Sequence, residues 1–314
     1  MRHLGVLKCL PALRPIGIPT RQERVEELRR AGFTAVRDLK EAALMGTRLG
    51  IIATDTGRHL GDSLAALEQG LDLLVEKPLA PDARAAEQLR RRAQGLGRRL
   101  LVGCVLRFSE SLNRFRALLP ELGELHSVEI SCRSYLPDWR PGRNYRDSYS
   151  AREIEGGVLR DLIHEVDYAG WLFGWPEQVQ GRLRNLGRLG IEAEETADLS
   201  WETPAGAAIS LHLDYLTRPH QRRMIAFGEK GTLQWDGTDN RVTGTLAGKL
   251  TQVIPFTETR EQMLLRQAQS LIGDSGVNGF CPATGLDGVM ALAICDAARK
   301  SSQSGRQEKV EGVG

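Results

Sequence analysis

The chain has 314 residues, 41% hydrophobic and 26% charged, with a formal net charge of +2, the make-up of an ordinary soluble globular protein of about two domains. So small a charge selects no polyanion, the arginines alternate with Glu and Asp as on solvated helix faces, and no zinc finger or RNA-binding signature is present, so no nucleic-acid partner is expected. No apolar run approaches the ~18–20 residues of a membrane span and no signal peptide is visible, so the expectation is a cytoplasmic protein without a membrane partner.

In chain order, Ile16–Ile18 reads as a short strand and Gln22–Arg30 as a helix. Leu49–Ala53 is a buried strand ending at Thr54-Asp55-Thr56, and Arg58–Gln69 is an amphipathic helix with Leu60, Leu64 and Leu67 on one face. Leu71–Val75 is the next strand. Pro81 opens a helix that runs to about Gly95, and Leu100–Val105 is a further strand. Strands separated by helices of ~10–15 residues imply a parallel, doubly wound sheet. From there the pattern changes. Ser127–Arg133, Ala207–Tyr215, Arg222–Phe227 and Thr232–Trp235 read as strands of an antiparallel sheet, with a tight turn at Gly228–Gly231. Helices are expected over Val158–Phe173, Thr257–Ile272 and Thr284–Ser301, and a loosely ordered polar tail from Ser301. The fold class is thus an α/β nucleotide-type domain over residues 1–120 followed by an α+β domain over residues 121–314. Cys9, Cys104, Cys132, Cys281 and Cys295 are scattered, odd in number and without CxxC spacing, which fits a reducing compartment and argues against a disulfide scaffold or a zinc site.

Two segments carry chemistry. In Leu73-Leu74-Val75-Glu76-Lys77-Pro78-Leu79 a buried strand stops at two charges, at the end where open α/β sheets bind ligands. The proline stiffens the turn and makes a cis Lys77-Pro78 bond accessible. Alone, this segment is equally a solvated turn. In Gly156-Gly157-Val158-Leu159-Arg160-Asp161-Leu162-Ile163-His164, two glycines precede a helix on which Asp161 and His164 share a face, with Tyr168 one turn on. An Asp beside a His can orient the imidazole and tune it for proton transfer. A lone helical His is more often structural.

Taken together, in this order, the two segments resemble the Gfo/Idh/MocA oxidoreductases, the family of glucose-fructose oxidoreductase and inositol dehydrogenase. Further matches are Ala53-Thr54-Asp55-Thr56 with His59, Val102–Phe108, Gly228–Thr232 and the late helix around Asp287-Gly288. The resemblance implies a nicotinamide-dependent dehydrogenase that moves a hydride between the cofactor and a secondary alcohol or ketone of a sugar, polyol or sugar derivative. It implies Lys77, His164 and Asp161 as catalytic residues, and Thr20, Arg21, Thr54, Asp55, His59, Glu76, Lys77 and Arg107 at the cofactor. Arg107, Trp139, Tyr145, Asp161 and His164 are expected at the substrate. The loop Tyr135–Tyr149, rich in Trp, Arg and Tyr, suits sugar faces and anionic groups, or equally forms a lid or a dimer contact. A homo-oligomer paired through the second sheet is also implied. The end of the second family strand, Ile18-Pro19-Thr20-Arg21, lacks the acid that binds the 2′-hydroxyl of NAD. Thr20 and Arg21 suit a 2′-phosphate, which slightly favours NADP over NAD, although Arg21 also suits a helix cap or adenine stacking.

One departure stands against these matches. The family begins with a strand and a glycine-rich turn whose N–H groups cradle the pyrophosphate, whereas this chain begins at Met1-Arg2-His3-Leu4-Gly5. About a dozen residues, the length of one strand and its turn, are therefore expected upstream. A reading frame started too late is favoured over a naturally shortened protein. Without that turn, a non-catalytic sensor or partner protein is the alternative function. Redox-assisted glycoside cleavage and biliverdin-type reduction are alternatives within the enzymes.

Overall fold

The computed structural model describes residues 2–246, 249–273 and 279–311, without the side chains of 249–253. The first third alternates α1 (Arg2–Leu7), β1 (Ile16–Gly17), α2 (Glu23–Arg30), β2 (Thr34–Ala35), α3 (Leu39–Leu44), β3 (Leu49–Ile52), α4 (Thr56–Glu68), β4 (Asp72–Val75), α5 (Ala83–Gly95) and β5 (Leu100–Val102). Leu73, Leu74 and Val75 are all buried, as both faces of a helix-covered parallel strand must be. β3, β4 and β5 pair in parallel, as expected. The sheet comes in two pieces, however. β1 and β2 form a separate parallel pair, so among the described residues β1 and β3 each keep one unpaired edge. α5 buries Ala86, Leu89 and Ala93. Its cap is Asp82, which accepts from the Ala85 N–H at 2.7 Å, so Pro81 lies outside the helix. The expected strand 100–105 stops at Val102 and gives way to a single tight helical turn, Val105–Phe108.

α6 (Glu110–Leu118) leads into the second layer: β6 (Leu125–Arg133), α7 (Val158–Asp161), α8 (His164–Phe173), β7 (Gln178–Arg184), β8 (Thr196–Glu202), β9 (Ala208–Asp214), β10 (Gln221–Gly228), β11 (Gly231–Asp236), β12 (Arg241–Leu246) and β13 (Lys249–Pro255). These strands form one sheet, in the order β13-β12-β11-β10-β6-β9-β8-β7. It is antiparallel throughout except for the parallel β6–β9 pair. Alternation sets its two faces: Ala197, Leu199 and Trp201 of β8 are buried while Asp198, Ser200 and Glu202 are not.

The chain then returns to the first layer. α9 (Arg260–Ile272) packs on α1 and on the turn Val105–Phe108. β14 (Ala283–Thr284) pairs antiparallel with β5, and α10 (Gly285–Ser304) lies between α5 and β7. The tail is ordered over its described residues, 301–311, contrary to the expectation from its polarity. α10 runs on to Ser304, and β15 (Glu308–Lys309) pairs with β7 to extend the large sheet. The Ser301 hydroxyl explains this, since it accepts from the Gly181 N–H and donates to the Arg306 carbonyl, tying the tail to the sheet.

Candidate active site

β4 delivers Lys77 to the junction of the two layers. The strand ends at Val75, the chain turns through the cis Lys77-Pro78 bond, and buried Leu79 and Ala80 anchor the far side of the turn. Lys77 is half-buried, and its Nζ donates to the main-chain carbonyl of Asp161 at 2.6 Å. The partner is a carbonyl, so the contact fixes the ammonium without supplying a counter-charge.

Asp161 and His164 do not lie on one continuous helix. The chain breaks at Leu162-Ile163, so Asp161 ends α7 and His164 begins α8. The expected pairing of carboxylate and imidazole is replaced by another arrangement. Asp161 Oδ2 accepts from the Tyr215 hydroxyl at 2.7 Å, while Asp161 Oδ1 and His164 Nδ1 are both buried without a partner. Orphaned buried polar atoms are costly, and here two of them sit beside a held ammonium. His164 is 8% exposed. Burial, and then the positive charges of Lys77, Arg222 and Arg260, hold it well below the ordinary histidine range. It is therefore a neutral imidazole at neutral pH, able to accept a proton. The two glycines before α7 have a steric cause. Gly157 has φ +90°, and a Cβ there would fall on the Glu194 carboxylate, which Arg299 holds in place.

Two tyrosines stand beside Asp161: Tyr149, at the end of the loop expected near the substrate, and Tyr215, which the sequence pattern did not single out. Tyr215, 0% exposed at the end of β9, is pushed well above the ordinary phenol range by burial and then by the Asp161 charge. Tyr149 is shifted the same way by the same two causes. Trp139 joins them indirectly: its ring packs edge-on against Tyr215, centroids 5.4 Å apart, and its Nε1 donates to Ser134 Oγ at 2.8 Å. Tyr145 does not converge on this centre through its hydroxyl, which donates to the Leu189 carbonyl at 3.0 Å. Tyr168, expected on the His164 face, is fully enclosed and packs edge-on against Trp235.

Several residues expected at the cofactor are engaged elsewhere. Arg107 is 1% exposed, bidentate on Asp167 at 2.7 and 3.0 Å and 3.0 Å from Asp287, so its charge is spent on a buried ion-pair triad. His59 is also enclosed. Its ring nitrogens lie 2.8 Å from the Pro78 carbonyl and 3.0 Å from that of Thr54, which clamps the ends of β3 and β4 together. Glu76 is bonded by His3 at 2.8 Å. Burial works to raise its pKa, but the His3 bond and charge, with Lys77, hold it below the ordinary carboxylate range. Thr20 and Arg21 are exposed after β1, and Asp55 is exposed before α4. Thr54 Oγ1 is buried without a partner. A dinucleotide fits this edge: the carboxyl ends of the parallel strands gather there, with one orphaned hydroxyl and free polar side chains.

A Rossmann-type sheet with Lys77 at its carboxyl edge faces a second layer that carries Asp161 and His164, and the class of protein this arrangement fits is an NAD-binding oxidoreductase. Residues 8–104 match the family model described as "Oxidoreductase family, NAD-binding Rossmann fold". Residues 119–234 match the "GFO/IDH/MocA C-terminal domain". The chain therefore belongs to the Gfo/Idh/MocA oxidoreductases. It is 29% identical over 305 residues to an inositol 2-dehydrogenase of Mycolicibacterium gilvum (strain PYR-GCK), covering 90% of this chain and 81% of that one. Its fold superposes on levoglucosan dehydrogenase in complex with NADH at a TM-score of 0.86, with 16% identity and coverage of 99% and 95%. The WlbA dehydrogenase of Bordetella pertussis, in complex with NADH and UDP-GlcNAcA, gives 0.79, with 22% identity and coverage of 98% and 94%. The reading as a non-catalytic sensor gains no support from these relatives. Among the described residues, no helix is long and apolar enough to cross a membrane.

Proposed function

We propose that the protein interconverts a secondary alcohol and a ketone on a sugar, polyol or sugar derivative, with Lys77, His164 and Asp161 as its catalytic residues. The observation that carries this is the 2.6 Å bond from Lys77 Nζ to the Asp161 carbonyl. It brings a fixed cation to a neutral imidazole and a carboxylate with a free oxygen. In the oxidation direction the His164 imidazole accepts the hydroxyl proton. The Lys77 ammonium stabilises the oxygen as negative charge develops on it. Asp161 positions the Lys77 ammonium through its main-chain carbonyl, while Tyr215 keeps the carboxylate in place. A bound nicotinamide cofactor would supply the acceptor for the hydride of the carbinol carbon. The inositol and levoglucosan dehydrogenases that match the chain support a polyhydroxylated substrate.

For the cofactor we propose NADP ahead of NAD, with Thr20 and Arg21 at the 2′-phosphate. The support is the acid-free end of β1 and the exposure of both residues. Equilibrium binding of the two cofactors to wild type and to Arg21→Glu is expected to show a preference for NADP that the variant loses. We also propose a cytoplasmic homo-oligomer paired through the outer face of the large sheet.

Screening sugar, inositol, amino-sugar and sugar-nucleotide panels by NAD(P)H absorbance tests the activity. Lys77→Ala should lower turnover at least 100-fold while cofactor binding persists. Turnover that survives in that variant would refute the assignment of Lys77.

A further inference from the structure

Three cations act on His164 from three elements: Lys77 from the end of β4, Arg222 from the start of β10 and Arg260 from the start of α9. The fold fixes where each one stands. Arg99, just before β5, donates to the Leu271 and Gly273 carbonyls at 2.6 and 2.7 Å and to Asp72 at the start of β4 at 2.9 Å. The last turn of α9 is thus pinned at the amino end of the parallel strands. α9 packs on β4, so its first residue emerges at the carboxyl end, where Lys77 lies. Reciprocal bonds between Thr259 and Gln262 hold that first turn. Arg222 donates from Nε to Glu165 Oε1 at 2.7 Å, and Glu165 follows His164 in α8.

These cations are under-matched. Lys77 holds only a carbonyl. Among the described residues Arg260 is exposed and makes no hydrogen bond or ion pair. Arg222 commits only Nε to Glu165 and meets no second carboxylate. Arg260 is also the first residue of α9, where the helix dipole disfavours a cation, and the like charge of Arg2 acts on it from the start of α1. An anion would complete this arrangement. The orphaned, buried His164 Nδ1 and Asp161 Oδ1 independently point to a ligand beside the same histidine. The charge of that ligand is bounded. Glu76 and Glu261 also act on Arg260, and Asp161 and Glu165 stand beside His164, so no large positive excess remains. The single charge of a carboxylate fits that balance better than the nearly two of a phosphate, and guanidinium groups match its planar geometry.

We propose that the reacting sugar carries a carboxylate, as in a uronate or an aldonate, which Arg260 and the outer nitrogens of Arg222 hold beside His164. The substrate class rests on the dehydrogenase reading above, whereas the binding of a carboxylate at Arg260 does not. The charge also serves the chemistry. In the free site burial and then the three cations weaken His164 as a base. A carboxylate on Arg222 and Arg260 offsets two of those cations, so an acidic substrate strengthens the base that takes its hydroxyl proton.

Histidine ring NMR on the full chain, with His164 assigned by difference with His164→Asn, tests this without turnover. The probes are D-glucuronate and D-galacturonate against D-glucose, D-galactose and D-glucose 6-phosphate, with sodium chloride equalising ionic strength. At least one uronate should bind about ten-fold more tightly than its neutral counterpart and raise the His164 pKa. Arg260→Gln should remove both effects, and Arg260→Lys should keep most of them. Neither variant should lower the melting temperature, because Arg260 has no partner to lose among the described residues. A purely structural Arg260 would instead lower it and leave the affinities unchanged. Failure of both uronates to bind or to move the His164 signal overturns the proposal. So does an advantage that survives Arg260→Gln, or one that glucose 6-phosphate shows in place of the uronates. Uronate binding without NAD(P) reduction by any sugar of the screening panels would defeat the dehydrogenase reading and leave the carboxylate site standing. Reduction by neutral sugars alone, with kcat/KM unchanged in Arg260→Gln, would do the reverse.

Discussion

His164 is a histidine whose charged form is opposed from several directions: burial first, then Lys77 from the end of β4, Arg222 from β10 and Arg260 from the start of α9. Arg222 is already bonded to Glu165 at 2.7 Å, so Arg260 is the cation that can be removed without orphaning a buried carboxylate. In Arg260→Gln one repulsive charge is gone, and the His164 pKa should rise towards the ordinary ~6.5. Histidine ring NMR signals, assigned by difference with His164→Asn, report this directly. An unchanged midpoint would show that burial alone sets the value. The sign for stability follows. The folded value lies below the unfolded one, so between the two the unfolded chain binds the extra proton. Stability contributed by His164 is complete above ~6.5 and is lost as pH falls towards the folded value. Tyr215 acts on the neighbouring carboxylate. Tyr215→Phe removes a buried hydrogen bond to Asp161 and is expected to cost about 1.5–3 kcal/mol in urea unfolding. Without that donor the Asp161 carboxylate is free to turn, so turnover should fall even where the variant is fully folded. A tyrosine with no part in positioning Asp161 would change stability alone.

At the scale of elements, Arg107 shows how a residue in a matching motif can serve the fold. It leaves the turn Val105–Phe108 and binds Asp167 of α8 and Asp287 of α10, so one guanidinium joins three elements. Arg107→Met leaves Asp167 buried and unpaired, and should lower stability by about 3–5 kcal/mol in denaturant titration. If Arg107 bound ligand instead, stability would hold and only KM would move. What the sequence could show follows the same division between local and distant causes. The apolar run Leu71–Val75 and its charged end are local, and β4 with Lys77 is where they placed it. The spacing of Asp161 and His164 is also local, but the break between them is not. It is set where Lys77 and Tyr215, 84 and 54 residues away, bind Asp161, and an i, i+3 pattern is blind to that. β7 is similar. Gln-Val-Gln-Gly-Arg-Leu-Arg does alternate, but a glycine stands in the middle of its inner face, because the Ala298 backbone of α10 lies where a Cβ of Gly181 would be. Tyr215 carried no signal because its partners are remote in sequence.

At the scale of the whole molecule, among the described residues the helices pack on one face of the nine-stranded sheet and leave the other without a helical layer. On that outer face the alternation places Ser127, Glu129, Ser131 and Arg133 of β6, with Arg184, Asp198 and His212 linked across β7, β8 and β9. Most of it is polar, yet Ile225 and Phe227 of β10 are only half-exposed within it. Antiparallel sheets tolerate such a face in water, and a polar, self-complementary face is also what a two-fold homodimer can use. Ile225 separates these cases because its register partners are Glu129 on β6 and Gln234 on β11. Ile225→Glu would set two like charges opposite each other, at a modest cost within one chain. In a pair of chains the same substitution would bury uncompensated charge against the partner, which is far more costly. Light scattering after size exclusion should therefore find an oligomer for the wild type and a single chain for Ile225→Glu, with thermal unfolding only slightly lowered. An unchanged mass in the variant would place the contact on another surface. A wild type that is already a single chain would remove the homo-oligomer, while the Lys77–Asp161 contact, made within one chain, would stand.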